Sequence, residues 1–276
     1  MNINELEQKA KEIRQLMVCT LLSTQRGHPG GSFSSVDILT ALYFSIMNVK
    51  TENPEWEHRD RFILSKGHAS LALYSALAVK GYFDKDLMLN FRGDGSILSG
   101  HPDMVKIPGV DMSTGSLGQG LSVGAGMALA GKYDNKDYNT YVLIGDGESQ
   151  EGQIWEAVLC AAQLKLDNLI AIIDRNYLQL DGPTEEIMKL DPMDKKWESF
   201  GWRVINVDGH DMNQIINAFK SVPIEEKKPT VIIADTIKGK GLTLMENKCE
   251  WHGMKFPIKG EHAKSVLKDV GLEYDN

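Results

Sequence analysis

The chain reads as an α/β fold: a mostly parallel central sheet flanked by helices on both faces. Two observations predict it. Apolar runs at residues 141–144 and 169–173 enclose a helix-like stretch at 154–166, a strand–turn–helix–strand unit. Further along, apolar runs at 204–207 and 230–234 enclose a helical pattern at 212–220. Alternating strand and helix implies parallel pairing with right-handed crossovers.

Taken in order, residues 3–24 form an amphipathic helix, with Ile3, Leu6, Ile13, Leu16 and Met17 on its apolar stripe. It breaks at the turn cluster Arg26-Gly27-His28-Pro29-Gly30-Gly31. Ser34-Ser35-Val36-Asp37 opens a second helix running to about 47. Residues 61–64 are a short strand ending in Ser65-Lys66-Gly67-His68, and helical text resumes over 69–79. Residues 92–116 are irregular. A small-residue helix follows at about 117–133, carrying Gly118, Gly120, Gly124, Gly126 and Gly131. Each glycine costs about 1 kcal/mol in a helix relative to Ala, so the run predicts close approach of another backbone or a ligand. Past Trp251 the tail is loop and then a short charged helix at about 261–267. With no Pro/Gly/Ser-rich linker, residues 1–276 read as a single domain.

Bulk properties exclude several classes. Hydrophobic content of 42% and charge of 25% over 276 residues are ordinary for a globular chain. A net charge of −8 argues against nucleic-acid binding, whose footprint is basic. Cys19, Cys160 and Cys249 are far apart and odd in number, which fits a reducing cytoplasm. The charged N-terminus is not a signal peptide, and no apolar run approaches the roughly 18 residues a membrane span needs.

The chemistry concentrates where strands end. Gly145-Asp146-Gly147-Glu148 follows one apolar run and Asp174-Arg175-Asn176 ends the next. Ligands of open α/β sheets sit outside the carboxyl ends of the strands. Asp146 and Asn176 offer hard oxygen ligands of the kind Mg²⁺ prefers. The neighbouring glycines let backbone amides approach an anion. The combination predicts a site for a metal-bound diphosphate. His28, His68, His101 and His252 all stand beside glycines in turns. The ordinary reading of any one is an exposed loop residue. Together, beside a diphosphate site, they suit hydrogen bonding to phosphate and hydroxyl groups and proton movement near neutral pH.

GDG followed by a distant Asn resembles the thiamine diphosphate signature. Gly145-Asp146-Gly147-Glu148-Ser149-Gln150-Glu151-Gly152 and Ile172-Ile173-Asp174-Arg175-Asn176-Tyr177-Leu178 resemble the corresponding segments of transketolases. So do Gly27-His28-Pro29-Gly30-Gly31, Ser65-Lys66-Gly67-His68-Ala69, Ser99-Gly100-His101-Pro102, Ser113-Thr114-Gly115-Ser116-Leu117-Gly118-Gln119-Gly120, Thr236-Ile237-Lys238-Gly239-Lys240-Gly241 and Trp251-His252-Gly253. They occur in the family's order, and the resemblance runs from the first helix to about residue 262.

That resemblance implies a thiamine diphosphate-binding fold and assigns roles by position. Asp146, Asn176 and the Leu178 carbonyl would bind Mg²⁺, with Ca²⁺ the other candidate. Gly147, His68, His252, Gly115, Ser116 and Leu117 would contact the cofactor. His28, His101 and His252 would line the substrate channel as catalytic residues, and Glu151 would sit at an interface between subunits. Lys238 and Lys240 are weaker candidates for phosphate contact. The chain departs from common family text at Glu148, Arg175 and Ser116, which bears on specificity and leaves the metal ligands intact.

Family enzymes are longer. The resemblance implies that this chain lacks their pyrimidine-binding and C-terminal domains, including the glutamate that activates the aminopyrimidine. It therefore resembles the N-terminal subunit of a split transketolase. Such an enzyme would act on sugar phosphates only when joined by a C-terminal transketolase subunit, in a two-plus-two heterotetramer. Alternatives are the related deoxyxylulose-phosphate synthase, a split relative acting on a sulfo-sugar or branched ketose, and a non-catalytic cofactor-binding module. Gly118-x-Gly120-x-x-x-Gly124 is not a dinucleotide fingerprint, because no apolar strand precedes it.

Overall fold

In the computed structural model, residues 1–223, 225–254 and 257–273 are described. Five parallel strands form one sheet: β1 (Arg61–Leu64), β2 (Thr140–Gly145), β3 (Leu169–Arg175), β4 (Arg203–Asp208) and β5 (Thr230–Asp235). Their spatial order is β1-β2-β3-β5-β4. The crossover from β3 to β4 thus skips a place that β5 later fills. In register, Gly145 lies beside Asp174 and Arg175 beside Asp235, so the strand ends form one row.

Each strand's period-two alternation feeds two cores. Phe62, Leu64, Tyr141, Leu143, Ile170 and Ile172 face one; Ile63, Val142, Ile144, Ala171 and Ile173 face the other. On the first face lie α1 (Ile3–Thr24), α3 (Val36–Ala41), α4 (Ser70–Lys80), α9 (Met212–Lys220) and α10 (Glu261–Asp269). On the second lie α5 (Gly120–Tyr133), α6 (Gly152–Gln163) and α8 (Met193–Ser199). Between them in sequence, α2 is Pro29–Ser34 and α7 is Thr184–Ile187.

Local sequence explains the ends. Asn2 accepts the Glu5 amide at 2.9 Å while Glu5 accepts the Asn2 amide at 2.8 Å, a reciprocal cap that starts α1. Gly81, at φ 102°, ends α4 in the left-handed region. Trp197 and Trp202 are buried in the second core.

Several boundaries differ from the sequence reading, two of them at glycines. Gly30 and Gly31 are helical, because Pro29 starts α2 at the position where its missing N–H costs nothing. The glycine-rich helix begins at Gly120 instead of 117. Its glycines answer to side chains more than to a second backbone. A Cβ at Gly120 would lie 2.4 Å from Ser65 Oγ, and one at Gly124 would lie 2.5 Å from Val142 Cγ2. Gly126 faces open space, and nothing in the structure explains it.

Candidate active site at the strand ends

The carboxyl ends of β1, β2, β3 and β5 surround a cavity of about 260 Å³. Its walls include Asp146, Asn176 and Leu178, the predicted metal ligands, together with Gly147, Leu117, His68 and His252. Lys66, Glu148, Gln150, Gln179 and Lys238 complete the polar lining.

The framework is a buried ion pair. Lys66, on the turn after β1, donates to Asp174 at the end of β3 and to the Gly31 carbonyl at 2.8 Å. Asp174 also accepts Ser34 Oγ at 2.6 Å, Asn176 Nδ2 at 3.1 Å and the Thr236 hydroxyl. Burial alone would raise the Asp174 carboxyl; Lys66 and the hydroxyl donors outweigh it and hold the group below its ordinary range. One side chain thereby ties α2, β1, β3 and the loop after β5 together.

Asp146 stands one strand away. Its carboxylate accepts the Gly147 amide at 2.7 Å and the Tyr177 amide at 2.6 Å, so the two predicted ligand loops are stitched through it. Burial, followed by the neighbouring charge of Asp174, pushes Asp146 up to about 6. Arg175 braces the same loop from behind, reaching Glu185 at 2.9 Å, Asp191 at 3.1 Å and Thr184 at 3.0 Å.

Glu148 is a second clamp. It accepts Ser65 Oγ at 2.5 Å, the Gly118 amide at 2.9 Å and the Gly145 amide at 3.0 Å, joining the ends of β1 and β2 to the turn before α5.

The opposite wall is aromatic and cationic. The His28, His68 and His252 rings touch, with centroids 5.4, 5.9 and 4.9 Å apart. Burial pushes His28 and His252 down to about 4 and His68 well below its ordinary value. After burial, the charge of Arg92 acts on His28, and that of Lys238 on His252. At neutral pH these are uncharged imidazoles, each with one donor and one acceptor. Lys238 is pushed down to about 8 by burial. Its ammonium donates to the Leu178 carbonyl at 2.9 Å and the Gln179 carbonyl at 3.2 Å, and lies 3.3 Å from His252 Nδ1.

The donor set fits a divalent cation carrying a diphosphate. A carboxylate, a carboxamide and a main-chain carbonyl line one cavity, hard oxygens that leave room for phosphate and water. Asp146, pushed up by burial, gains most from a nearby cation. Leu178 O already accepts an ammonium, so that carbonyl is presented to positive charge. Gln179 Oε1 and His28 Nδ1 are buried without a hydrogen-bond partner among the described residues. Lys238 and the imidazoles supply donors to an anion.

Other predicted residues lie outside this cavity, His28 among them: its ring packs behind those of His68 and His252 and does not line the space itself. Gly115 and Ser116 line a neighbouring one of about 310 Å³ with Thr114 and Gln119. His101 is exposed and packs against Gly115, 3.4 Å from where its Cβ would be. Glu151 is exposed at the start of α6, against Gly118. Lys240 points away, lining a cavity with Arg14 and His210. The sequence reading gave Lys66, Asp174, Glu148 and Gln179 no role. A charged residue at the end of an apolar strand was the available signal for Asp174, and one two residues past such an end for Lys66.

A parallel sheet with a carboxylate–carboxamide pair at its strand ends, facing buried imidazoles and ammoniums, defines a domain for a metal-bound diphosphate cofactor. The chain belongs to the transketolase family: residues 6–276 match the family described as transketolase, thiamine diphosphate binding domain. It is accordingly a subunit of a transferase of the thiamine diphosphate-dependent, ketol-transferring kind. It is 47% identical over 252 residues to an apulose-4-phosphate transketolase subunit of Phocaeicola vulgatus, covering 91% of this chain and 89% of that one. It is 46% identical over 269 residues to the 6-deoxy-6-sulfo-D-fructose transketolase subunit SqwG of Clostridium sp. strain MSTE9, covering 98% and 97%. Among solved structures, transketolase from Campylobacter jejuni superposes with a TM-score of 0.90 at 33% identity, covering 99% of this chain and 44% of that one. The chain thus spans nearly the full length of the subunit relatives and less than half of the long ones. No helix among the described residues is long and apolar enough to cross a membrane.

Proposed function

We propose that the chain is the N-terminal subunit of a split, Mg²⁺-dependent transketolase, a single diphosphate-binding domain over residues 1–276. With a second subunit carrying the pyrimidine-binding domain, it moves a two-carbon ketol unit from a ketose phosphate to an aldose phosphate in the cytoplasm. The assembly is a two-plus-two heterotetramer, with Glu151, exposed at the start of α6, at a contact between subunits. The observation that carries this reading is the single cavity uniting Asp146, Asn176 and Leu178 with His68, His252 and Lys238. Its support is the near end-to-end match to SqwG and to the Phocaeicola vulgatus protein.

When bound, thiamine diphosphate supplies the nucleophilic carbon that accepts the ketol unit. The protein's part is positioning and proton traffic. Asp146, Asn176 and the Leu178 carbonyl hold Mg²⁺. His68 and His252 donate to the diphosphate, and Gly147 lets it approach the backbone. Gly115, Ser116 and Leu117 present main chain to the rest of the cofactor. His28, His101 and His252 hold the sugar hydroxyls and pass protons; the holding, though not the proton transfer, is the task their neutral state suits, each ring having one donor and one acceptor.

A second reading keeps the reaction and changes the donor. It is favoured by the names of the two relatives just given, which specify apulose 4-phosphate and 6-deoxy-6-sulfofructose. The test is ketol transfer to ribose 5-phosphate or glyceraldehyde 3-phosphate with Mg²⁺ and thiamine diphosphate. The chain is assayed alone and with the polypeptide that co-purifies from its source. Xylulose 5-phosphate, apulose 4-phosphate and 6-deoxy-6-sulfofructose are compared as donors. Turnover in the mixture only is expected, and the preferred donor decides between the readings. Turnover by the chain alone refutes the split enzyme.

A further inference from the structure

The loop after β5 carries Lys238 into the cavity; Asn247 N donates to the Lys238 carbonyl at 3.0 Å and Lys240 N to the Ile237 carbonyl at 3.1 Å, and three of the loop's own amides, at 236, 237 and 239, are tied to other elements. Thr236 N donates to Arg175 O at 3.0 Å, and Gly239 N donates to Gly30 O at 2.9 Å. The middle tie is different: Ile237 N donates at 2.8 Å to a side chain, Nε2 of His210. A ring nitrogen that accepts an amide proton carries none of its own. The His210 proton therefore sits on Nδ1, which faces Asp37 Oδ2 at 2.8 Å. Asp37 is gripped in turn by both terminal nitrogens of Arg14, at 3.0 and 2.7 Å.

The relay starts on α1 at Arg14, passes through Asp37 on α3 and reaches His210 just after β4. It ends one residue before Lys238. None of the three side chains lines the cofactor cavity. Asp37 has its own reason to persist, because burial would raise it and Arg14 and His210 together hold it below its ordinary range. Both ring nitrogens of His210 are thus engaged in a defined sense, as a carboxylate engages the far nitrogen of a working imidazole.

We infer that His210, oriented by Asp37 and Arg14, is a positioning residue for Lys238: its bare Nε2 holds the Ile237 amide and so sets the direction in which Lys238 enters the cofactor site. The inference rests on the function proposed above. Without the acceptor, a half-buried N–H loses its partner, and the Thr236–Ile237 peptide, one link before the peptide that leads into Lys238, loses its side-chain tie. A misplacement of about 1 Å at such a site costs on the order of a hundredfold in function.

The test is a double-mutant cycle read as thiamine diphosphate affinity, with Mg²⁺ present, by calorimetry on the chain assembled with its co-purifying polypeptide. His210→Ala is expected to weaken binding about tenfold to a hundredfold, by analogy with the loss when an outer-shell partner that orients a metal ligand is removed. In a Lys238→Ala background the same change is expected to cost less than about twofold, because its target is gone. Equal losses in both backgrounds, or none in the first, would overturn the inference. Should His210→Ala fail to fold, His210→Gln serves: its amide can accept from Ile237 and donate to Asp37, and near-native affinity is expected. An independent readout is amide hydrogen exchange across 236–241 in the cofactor-free chain. Faster exchange at Ile237 in His210→Ala is expected, and an unchanged rate would refute the inference. An assembly that binds no thiamine diphosphate at all counts against the proposed function instead, and the exchange rates still decide whether His210 holds the loop.

Discussion

The two walls of the cavity are built on opposite plans. In the strand-end wall the polar groups are already engaged by protein. Asp174 is shared by Lys66, Ser34, Asn176 and Thr236; Asp146 holds two amides; Glu148 holds two amides and a hydroxyl. In the histidine wall the rings mainly touch one another, and His28 Nδ1 has no partner among the described residues. The first wall stores its order in the fold. The second leaves donors and acceptors for what binds there. Substitutions in the first should therefore cost stability, and substitutions in the second should alter ligand binding and pH response.

The largest expected effect is at the keystone of the first wall. Lys66→Met leaves the Asp174 charge buried beneath the sheet ends with its cation removed. Removing one partner of a buried pair costs about 3–5 kcal/mol. Denaturant unfolding of the cofactor-free chain measures it. A loss under about 1 kcal/mol, the size seen for exposed pairs, would mean that Asp174 is relieved by water and that the wall is not prebuilt.

Asp146 tests where the first wall hands over to ligand. Asp146→Asn keeps one acceptor and removes a charge that burial already disfavours. Affinity for thiamine diphosphate with Mg²⁺ should fall by more than about a hundredfold, since even groups behind a metal ligand cost 10–100-fold. Stability of the cofactor-free chain should change by less than about 1 kcal/mol, because the one amide left without an acceptor, a loss of about 1–3 kcal/mol, is offset by removing a carboxylate charge that burial disfavours. A comparable loss of both would place Asp146 with Lys66 as framework. Glu148→Ala belongs to framework alone: it strands Ser65 Oγ and the Gly118 and Gly145 amides, at about 1–3 kcal/mol for each of them that finds no new acceptor. A cofactor affinity that falls further than stability does would give Glu148 a part in binding.

What was legible in the sequence follows the same division. The alternation of strand and helix, Asp146, Asn176 and the glycine-flanked histidines all carry local signatures, and the parallel sheet forms as read. The insertion of β5 between β3 and β4 was not legible, because strand order is a property of long-range pairing and not of any one segment. Lys66 and Asp174 are 108 residues apart and become partners only when β1 and β3 end in one row. Glu148 read as a departure from family text, and only the fold reveals the three donors converging on it. The turn at Gly30 hid a helix start for a local reason, since Pro29 both interrupts a helix and begins one.

The smallest expected effect sharpens the second wall. Burial, then the positive charges of Arg92 and His101, push His28 from its ordinary value near 6.5 to about 4. Between those values the folded chain binds fewer protons here than the unfolded chain does. The contribution is therefore fully present above about 6.5 and is lost as pH falls toward about 4. Asp146 shifts the other way, but it is common to wild type and variant and cancels in their difference. His28→Gln removes the titration, so the two proteins should be nearly equally stable at neutral pH. Below about 6.5 the wild type should fall away faster. Urea unfolding at stepped pH gives both curves. Parallel curves would mean that the His28 ring is as well solvated folded as unfolded, and that the histidine wall carries no unmet demand for a ligand.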